Sequence, residues 1–448
     1  MSEIPLAKGY WADAVNRTDR VRLHNMIVGQ NAANQIDGTM HRQRPGMVAH
    51  STIGPGPINF MWRQDGTLGG EYLTVSGGLL YVGSTLLGYV GTTGISMAGS
   101  PDRVLIVAGG IAYRTDGVSL VAVNMPDDRP ASSVRYINGF FLISVADTQL
   151  FYWILPGADD PDPLDFASAE RMPDAIKSIA ISGDTIWFLG AEGEEVWIGT
   201  ADPDAPFQRV TGRVSNYGCA DIGSVVEINT IIFWVTAAHQ IAAGSGPPQI
   251  VSDDAIDGIL AVDTAFKAWA FLMGGHTMYV VTTPTITLAY DIRAQIWSRF
   301  SSYERENWRG WVGARRETEV LAGDSESGQI WALDWNAWND ADEPLVREVS
   351  GSVANTGPPF GAASVSLGTS VGWSTSYTEQ PVLELRWSDD QGATFSQPRA
   401  LGLGFKGQYH TDAVVRSLGL IQRPGRTFVW RMTDDALWRV DYARLNEA

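Results

Sequence analysis

The chain has 448 residues, of which 44% are hydrophobic and 10% aromatic, with 17 Trp and 48 Gly against 18% charged side chains; this composition supports a large aromatic-rich core and excludes a disordered or coiled-coil chain. A formal net charge of −18 repels phosphate backbones and excludes a tight electrostatic grip on DNA. The single cysteine, Cys219, excludes an intramolecular disulfide and a thiolate metal cluster, so stability must come from packing or assembly.

The start of the chain, Met1 to Lys8, lacks the basic stretch and apolar run of a secretory signal. No segment approaches the ~20 unbroken apolar residues of a membrane helix, so a product without a membrane segment is expected. Residues 1–40 read as an N-terminal arm. Beyond Leu68 the sequence breaks into short β-branched and aromatic runs bounded by Gly, Pro, Asn and Asp, the pattern of an all-β chain. Four of these runs follow a turn signal at Asn138, Gly183, Asn229 and Gly275, in steps of 45, 46 and 46 residues. A further unit surrounds Glu319 to Gly323, and Gly77 to Val90 and Pro101 to Val123 read as two more hairpins. Repeated multi-strand units of about 45 residues are what propeller blades require, because each blade buries its face against the next. The expected fold is therefore an all-β β-propeller of six or seven blades over residues 41–335, one blade completed by strands from both ends. Residues 336–448 are expected to form a C-terminal β-rich domain or arm, reached through a solvated acidic linker containing Asp340, Asp342 and Glu343.

The sharpest short motif lies in that last region. Ser388-Asp389-Asp390-Gln391-Gly392-Ala393-Thr394-Phe395 matches the Asp-box pattern. In such a hairpin Ser388, Asp390 and Thr394 bond the turn, Gly392 takes a positive φ, and Phe395 packs beneath. Sialidases carry several such boxes, but the box itself is structural and occurs once here, outside the blade repeat. The carboxylate pairs Glu194-Glu195 and Asp253-Asp254 read as surface charge, since adjacent strand residues point to opposite faces and make no dyad. The six histidines lack metal-ligand spacing, and no phosphate-binding glycine motif is present. No catalytic, metal-ligating or cofactor-binding residue is assigned, and no cofactor is expected.

Taken together, these residues resemble a family: the packaged-DNA stabilisation proteins, or tail hubs, of short-tailed bacteriophages. The similarity runs through Arg44-Pro45-Gly46, Gly77-Gly78-Leu79-Leu80-Tyr81, Ser96-Met97-Ala98 and Asn138-Gly139-Phe140-Phe141. It continues through Leu164 to Glu170, including Phe166 and Ser168, then Asp174, Glu195-Val196-Trp197, Pro206-Phe207 and Gly218-Cys219, and ends in the Leu383 to Trp387 strand and the Asp-box. Residues 237–257 depart from the family pattern. The resemblance implies a non-enzymatic virion tail protein made in the host cytoplasm. It would form a ring of six below a portal and its adaptor, sealing the DNA channel with help from a tail needle or tailspike. DNA would pass without sequence-specific contact.

Two readings of Phe166 to Glu170 stand side by side: a blade-connecting turn with Phe166 in the core and Glu170 capping it, or a partner contact. Trp197 is expected between blades and Cys219 as a small buried hydrophobe. The alternative function is a propeller-type glycan-binding protein or sialidase-like hydrolase, which requires a polar pocket on the propeller axis.

Overall fold

The computed structural model describes residues 2–12, 19–31, 38–170, 174–202, 205–374 and 376–447. Seven four-stranded antiparallel blades follow one another around an axis. Blades 1 to 6 span residues 58–89, 96–122, 131–168, 176–215, 226–250 and 267–300. Blade 7 takes three strands from residues 310–334, and its outermost strand is Gly46–Thr52, which pairs antiparallel with Gln329–Asp334. The wheel is thus closed by a strand from the N-terminal side, the device that removes a free edge at the seam.

Blades 1 to 6 each begin with their innermost strand, and the turn into the second strand supplies the repeat seen in the sequence. Asn138, Gly183, Asn229 and Gly275 all sit in such turns, with φ of 53°, 58°, 50° and 83°. A two-residue hairpin needs this left-handed backbone, which Gly and Asn adopt most readily.

Apolar side chains from facing blades fill every gap around the wheel. Trp187 of blade 4 and Trp234 of blade 5 meet with ring centroids 6.2 Å apart. Phe151 and Trp153 of blade 3 pack against Phe188, Trp197 and Phe207 of blade 4. Ile58 and Met61 of blade 1 meet Val312, Leu321 and Ile330 of blade 7 and complete the circle.

Most of the remaining strands form a two-layer sandwich. One layer contains Arg347–Ala354, Gly425–Met432, Val382–Ser388 and Arg399–Gly402. The other is built on Phe360–Thr369 and Arg439–Glu447, joined by Ser2–Ile4, Met26–Gln30 and Thr39–Gln43. The stretch expected as an arm is therefore woven into the sandwich. The reason is geometric: its apolar Ile4, Leu23, Met26 and Val28 are buried against the C-terminal strands.

The short strand Leu23–His24 also bridges the two units, pairing in parallel with the outer strand of blade 6 and antiparallel with Arg347–Ala354. Blade 6 and the first sandwich layer are one continuous nine-stranded sheet. The largest core cluster spans the same junction, linking Phe233, Tyr279 and Trp297 of the wheel to Leu385, Trp430 and Trp438 of the sandwich. A seven-residue helix, Asp254–Leu260, adds Ile256 and Leu260 to that core, with Asp253 capping its first amides.

Candidate functional site

Arg44-Pro45-Gly46 carries the chain from the sandwich strand Thr39–Gln43 into the closing strand of blade 7. The Arg44 side chain is fully buried. Nε donates to Asn25 Oδ1 at 2.9 Å, and Nη1 donates to Pro45 O at 2.9 Å and Asp340 Oδ1 at 3.0 Å. Nη2 donates to Ser301 O at 3.0 Å and Asp340 Oδ2 at 2.8 Å. All five guanidinium donors are used, and the cation also lies 4.9 Å from the Trp308 ring centroid. Asp340 is 1% exposed, so the expectation of a solvated acidic linker is corrected there: burial of Arg44 demands a carboxylate beside it. Gly46 is required by approach rather than by its torsion, since a Cβ would stand 2.2 Å from Asn339 O.

The family-motif residues of blades 3 to 5 fall into two groups. Asp174, Gly218 and Cys219 lock the turn between the middle strands of blade 4. Asp174 Oδ2 accepts from the N–H groups of Glu192 at 2.6 Å and Gly193 at 3.3 Å, and Cys219 N–H donates to Gly190 O at 2.8 Å. A Cβ on Gly218 would lie 2.2 Å from Ala191 O. Cys219 is buried, and desolvation, with Asp221 nearby, pushes its thiol up to about 12, which makes it inert. Trp197 and Phe207 pack between blades 3 and 4, with Trp197 Nε1–H donating to Glu195 Oε2 at 3.2 Å and Phe207 5.5 Å from Phe140. Pro206 offers its carbonyl to Thr200 N–H at 2.8 Å.

Glu194 and Glu195 are only 2% and 3% exposed, correcting their reading as surface charge. Burial pushes the Glu194 carboxyl up, opposed by its bond from Ser215 Oγ. The second group, Phe166, Ser168 and Glu170, lies at the outer edge of blade 3. Phe166–Ser168 is that blade's fourth strand, Phe166 is 46% exposed against Tyr152, and Glu170 is exposed. Phe166 therefore does not fill the core: its ring lies on an exposed face beside Tyr152, whereas Phe207, on the outermost strand of blade 4, faces blade 3 and is buried.

The Asp-box caps the hairpin between Val382–Ser388 and Arg399–Gly402. Asp390 Oδ1 accepts from Ser388 Oγ at 2.7 Å and Thr394 N–H at 2.8 Å, Oδ2 accepts from Thr394 Oγ1 at 2.6 Å, and Gly392 N–H donates to Ser388 Oγ at 2.7 Å. Gly392 has φ 95°. These bonds, led by that from the Thr394 hydroxyl, hold the Asp390 carboxyl down at about 2. The half-buried Phe395 ring lies under the guanidinium groups of Arg386 at 4.8 Å and Arg22 at 5.3 Å. The same two arginines bond Glu348 at 3.0 and 2.7 Å. Burial opposes ionisation of Glu348, but Arg22, His24 and Arg386 outweigh it and hold its carboxyl below the usual range.

The axis of the wheel holds a cavity of about 820 Å³ lined by the innermost strands. Arg135 of blade 3 reaches across to blade 5, where its Nε donates to Glu227 Oε1 at 2.6 Å, and its Nη1 donates to Ser96 Oγ at 2.9 Å. Lys267 of blade 6 donates from Nζ to Asn59 O at 2.9 Å and lies 3.8 Å from the Trp311 ring centroid. Burial pulls its ammonium down to about 8. Asp221 accepts from Gly223 N–H at 3.0 Å and Phe266 N–H at 2.9 Å. None of these axial residues was singled out from the sequence, since each comes from a different blade and no spacing relates them.

Among the described residues no group of His, Cys, Asp or Glu is placed to hold a metal, and no helix is long and apolar enough to cross a membrane.

Comparison with solved structures returns matches of low identity. The Cps50 (Swd1) β-propeller domain of Myceliophteria thermophila is 10% identical with a TM-score of 0.44, covering 64% of this chain and 99% of that one. BamB from Moraxella catarrhalis is 9% identical with a TM-score of 0.37, covering 66% and 98%. The extracellular domain of the putative one component system BT4673 from B. thetaiotaomicron is 9% identical with a TM-score of 0.45, covering 89% and 58%. No curated protein matches the sequence. A family described as bacteriophage P22 Gp10, β-propeller, matches residues 2–337, from the first sandwich strand to the end of blade 7. The chain therefore belongs to the phage stabilisation family, the structural β-propeller proteins that stabilise packaged DNA in short-tailed phages.

Proposed function

We propose that this protein is the tail hub of the virion, a ring-forming subunit mounted below the portal and its adaptor that closes the lower end of the DNA channel. The propeller, expected over residues 41–335, would be the rigid body of each subunit, and the sandwich that residues 336–448 build with the N-terminal strands would present the docking surface. Synthesis in the host cytoplasm precedes assembly in this reading, and a tail needle or tailspike completes the closure. Family membership gives the phage context, and the observation that carries the hub reading is the shared nine-stranded sheet, which makes wheel and sandwich one block suited to transmitting load between neighbours.

The axis argues that DNA does not run through the wheel itself. The Arg135–Glu227 bond links blades 3 and 5 past blade 4, so charged side chains occupy part of the axial space that a duplex would need. A conduit must then lie between copies arranged in a ring, where an acidic wall lets phosphates slide without releasing counterions. The exposed strand edge carrying Phe166, Ser168 and Glu170 is a candidate contact in such a ring.

A hydrolase finds little support at the same axis, because the carboxylates that line it are already engaged: Glu227 by Arg135 and the Ile181 N–H, Asp221 by two backbone amides. Negative-stain microscopy of the purified protein, alone and with its adaptor, tests the proposal. Rings of six on the adaptor are expected; isolated wheels that never engage it, together with turnover of a glycan substrate, would overturn it.

A further inference from the structure

Two distant edges of the molecule carry opposite charge that the chain itself leaves unpaired. Residues 159–170, which lead into and just past the outermost strand of blade 3, hold Asp159, Asp160, Asp162, Asp165 and Glu170 and no Lys or Arg. Arg103 and Arg114 of blade 2 meet Asp159 at 3.1 and 2.9 Å, whereas the other four carboxylates have no cation within ion-pair distance among the described residues. Partial burial and the neighbouring Asp162 push the Asp165 carboxyl up, as expected of an anion without a counter-charge. The same edge exposes Val118 of blade 2 and Leu164 and Phe166 of blade 3, Leu164 by 84%. Its outermost strands, Leu120–Ala122 and Phe166–Ser168, end their sheets.

The second edge is the far rim of the sandwich. Arg399–Gly402 is the last strand of the nine-stranded sheet that starts at the axis in blade 6, and Val414–Arg416 is the last strand of the facing layer. Residues 396–424 hold Arg399, Lys406, Arg416 and Arg423 against a single carboxylate, Asp412. Arg399 donates to the carbonyls of Arg416 and Ser417 at 2.7 and 3.2 Å, and Arg423 to that of Gly357 at 2.9 Å. None of the four cations meets a carboxylate among the described residues. Leu420 on this rim is 57% exposed.

In a wheel of seven blades, blades 2 and 3 are the pair farthest from blade 6, whose sheet continues into the sandwich. One chain therefore cannot bring its acidic edge to its own basic rim, but a second copy can. Pairing about a two-fold axis would set like charge against like at either edge, whereas a head-to-tail contact sets opposite charges together and covers apolar side chains on both partners. A head-to-tail contact also repeats, and it closes into a ring where the rotation allows.

We propose that the acidic outer edge of blades 2 and 3 docks on the basic sandwich rim of a second copy of this chain, with Leu164, Phe166 and Leu420 at the centre and Asp165, Glu170, Arg416 and Arg423 around them. The contact rests on the hub reading above and names the two surfaces that build its ring.

Sedimentation velocity and negative-stain microscopy of the full chain with its adaptor provide the test, using two charge-reversed chains. Asp165→Lys with Glu170→Lys makes both edges basic, and Arg416→Glu with Arg423→Glu makes the rim acidic like the blade edge. Each reversed chain alone should lose rings, its self-association weakened by about tenfold or more. An equimolar mixture of the two should regain rings, because each retains the edge that fits the reversed edge of the other; the chain carrying all four changes should regain them as well. A measurement on the wild type needs no variant: in rings compared with monomers, hydrogen exchange should slow in residues 159–168 and in 396–423 together. Rings that survive either reversal overturn the contact and leave the hub reading standing. Loss of rings that the mixture does not restore, or protection of one edge without the other, also overturns it, and reversed chains that form rings but no longer hold the adaptor would assign these edges to the adaptor instead. Absence of rings from the wild type would remove the hub reading itself, and this contact with it.

Discussion

Arg44 and Lys267 are both cations withdrawn from water, and the difference in their surroundings sets different consequences. Arg44 has all five donors occupied, two of them on Asp340, so removing either partner leaves an uncompensated buried charge. Arg44→Ala and Asp340→Ala should each cost about 3–5 kcal/mol in urea denaturation. Arg305→Ala, at an ion pair with Glu326 that is open to solvent, should cost under about 1 kcal/mol. Equal losses at the two places would contradict the role given to Arg44. Lys267 instead lowers stability while charged. Its folded pKa of about 8 lies below the ordinary lysine value of 10.5, so the unfolded chain holds the proton more tightly between those two limits. Stability conferred at this position therefore rises with pH across that window. Lys267→Met should accordingly stabilise the protein at pH 7, and the advantage over wild type should shrink as pH rises from about 8 to 10.5. An advantage that is constant across the titration would rule out relief of a buried charge as its source.

Hairpin turns explain both what the sequence reveals and what it hides. Asn138, Gly183 and Asn229 hold the first position of their two-residue turns and Gly275 the second of its own, behind Gly274; each inner hairpin needs positive φ in its turn, and that local requirement leaves a mark on the chain. The Asp-box is legible for the same reason, since all its bonds lie within a few residues. Its carboxylate supplies a test at this scale. Asp390→Ala should remove the acceptor of the Thr394 amide and speed its hydrogen exchange, with exchange in the blade hairpins unaffected. In the wild type the same contribution should fade on acidification, because the folded value of about 2 lies below the ordinary aspartate value of 3.8 and stability is lost as pH falls through that range. An unchanged Thr394 exchange rate in the variant would show that the turn holds without its carboxylate. Contacts between distant segments leave no comparable mark. The partner of Arg44 is 296 residues away, which is why Asp340 reads as solvated linker charge until the fold is seen. Lys267, Arg135 and Glu227 meet only because three blades point their inner strands at one axis. Phe166 was visible as a motif, but its place on an outermost strand depends on how many strands precede it in the blade.

At the scale of the whole molecule, the wheel is closed by Gly46–Thr52 and the sandwich is assembled from residues on both sides of the wheel in sequence, so neither unit is a contiguous piece of chain. Leu23–His24 is hydrogen-bonded to both at once, and one apolar cluster runs from blades 5 and 6 into the sandwich core. Separating the units would break a sheet and expose a shared core, so partial unfolding has no cheap route. Calorimetry of the isolated protein should therefore show one cooperative transition for wheel and sandwich, with calorimetric and van't Hoff enthalpies in agreement. Two resolved transitions would mean that the junction contributes little. The most discriminating variant lies at the seam: Gly46→Val forces side-chain atoms into the carbonyls of Ala337 and Asn339, where backbone stands within 2.6 Å of the first added carbon. Because Gly46 opens the strand that closes blade 7 and adjoins the Arg44–Asp340 pair, this change should lower the single transition as a whole rather than split it. If it instead loosened only blade 7, seen as local loss of amide protection in residues 310–334, closure of the wheel and docking of the sandwich would be separable events, and the block-like subunit required of a load-bearing hub would be lost.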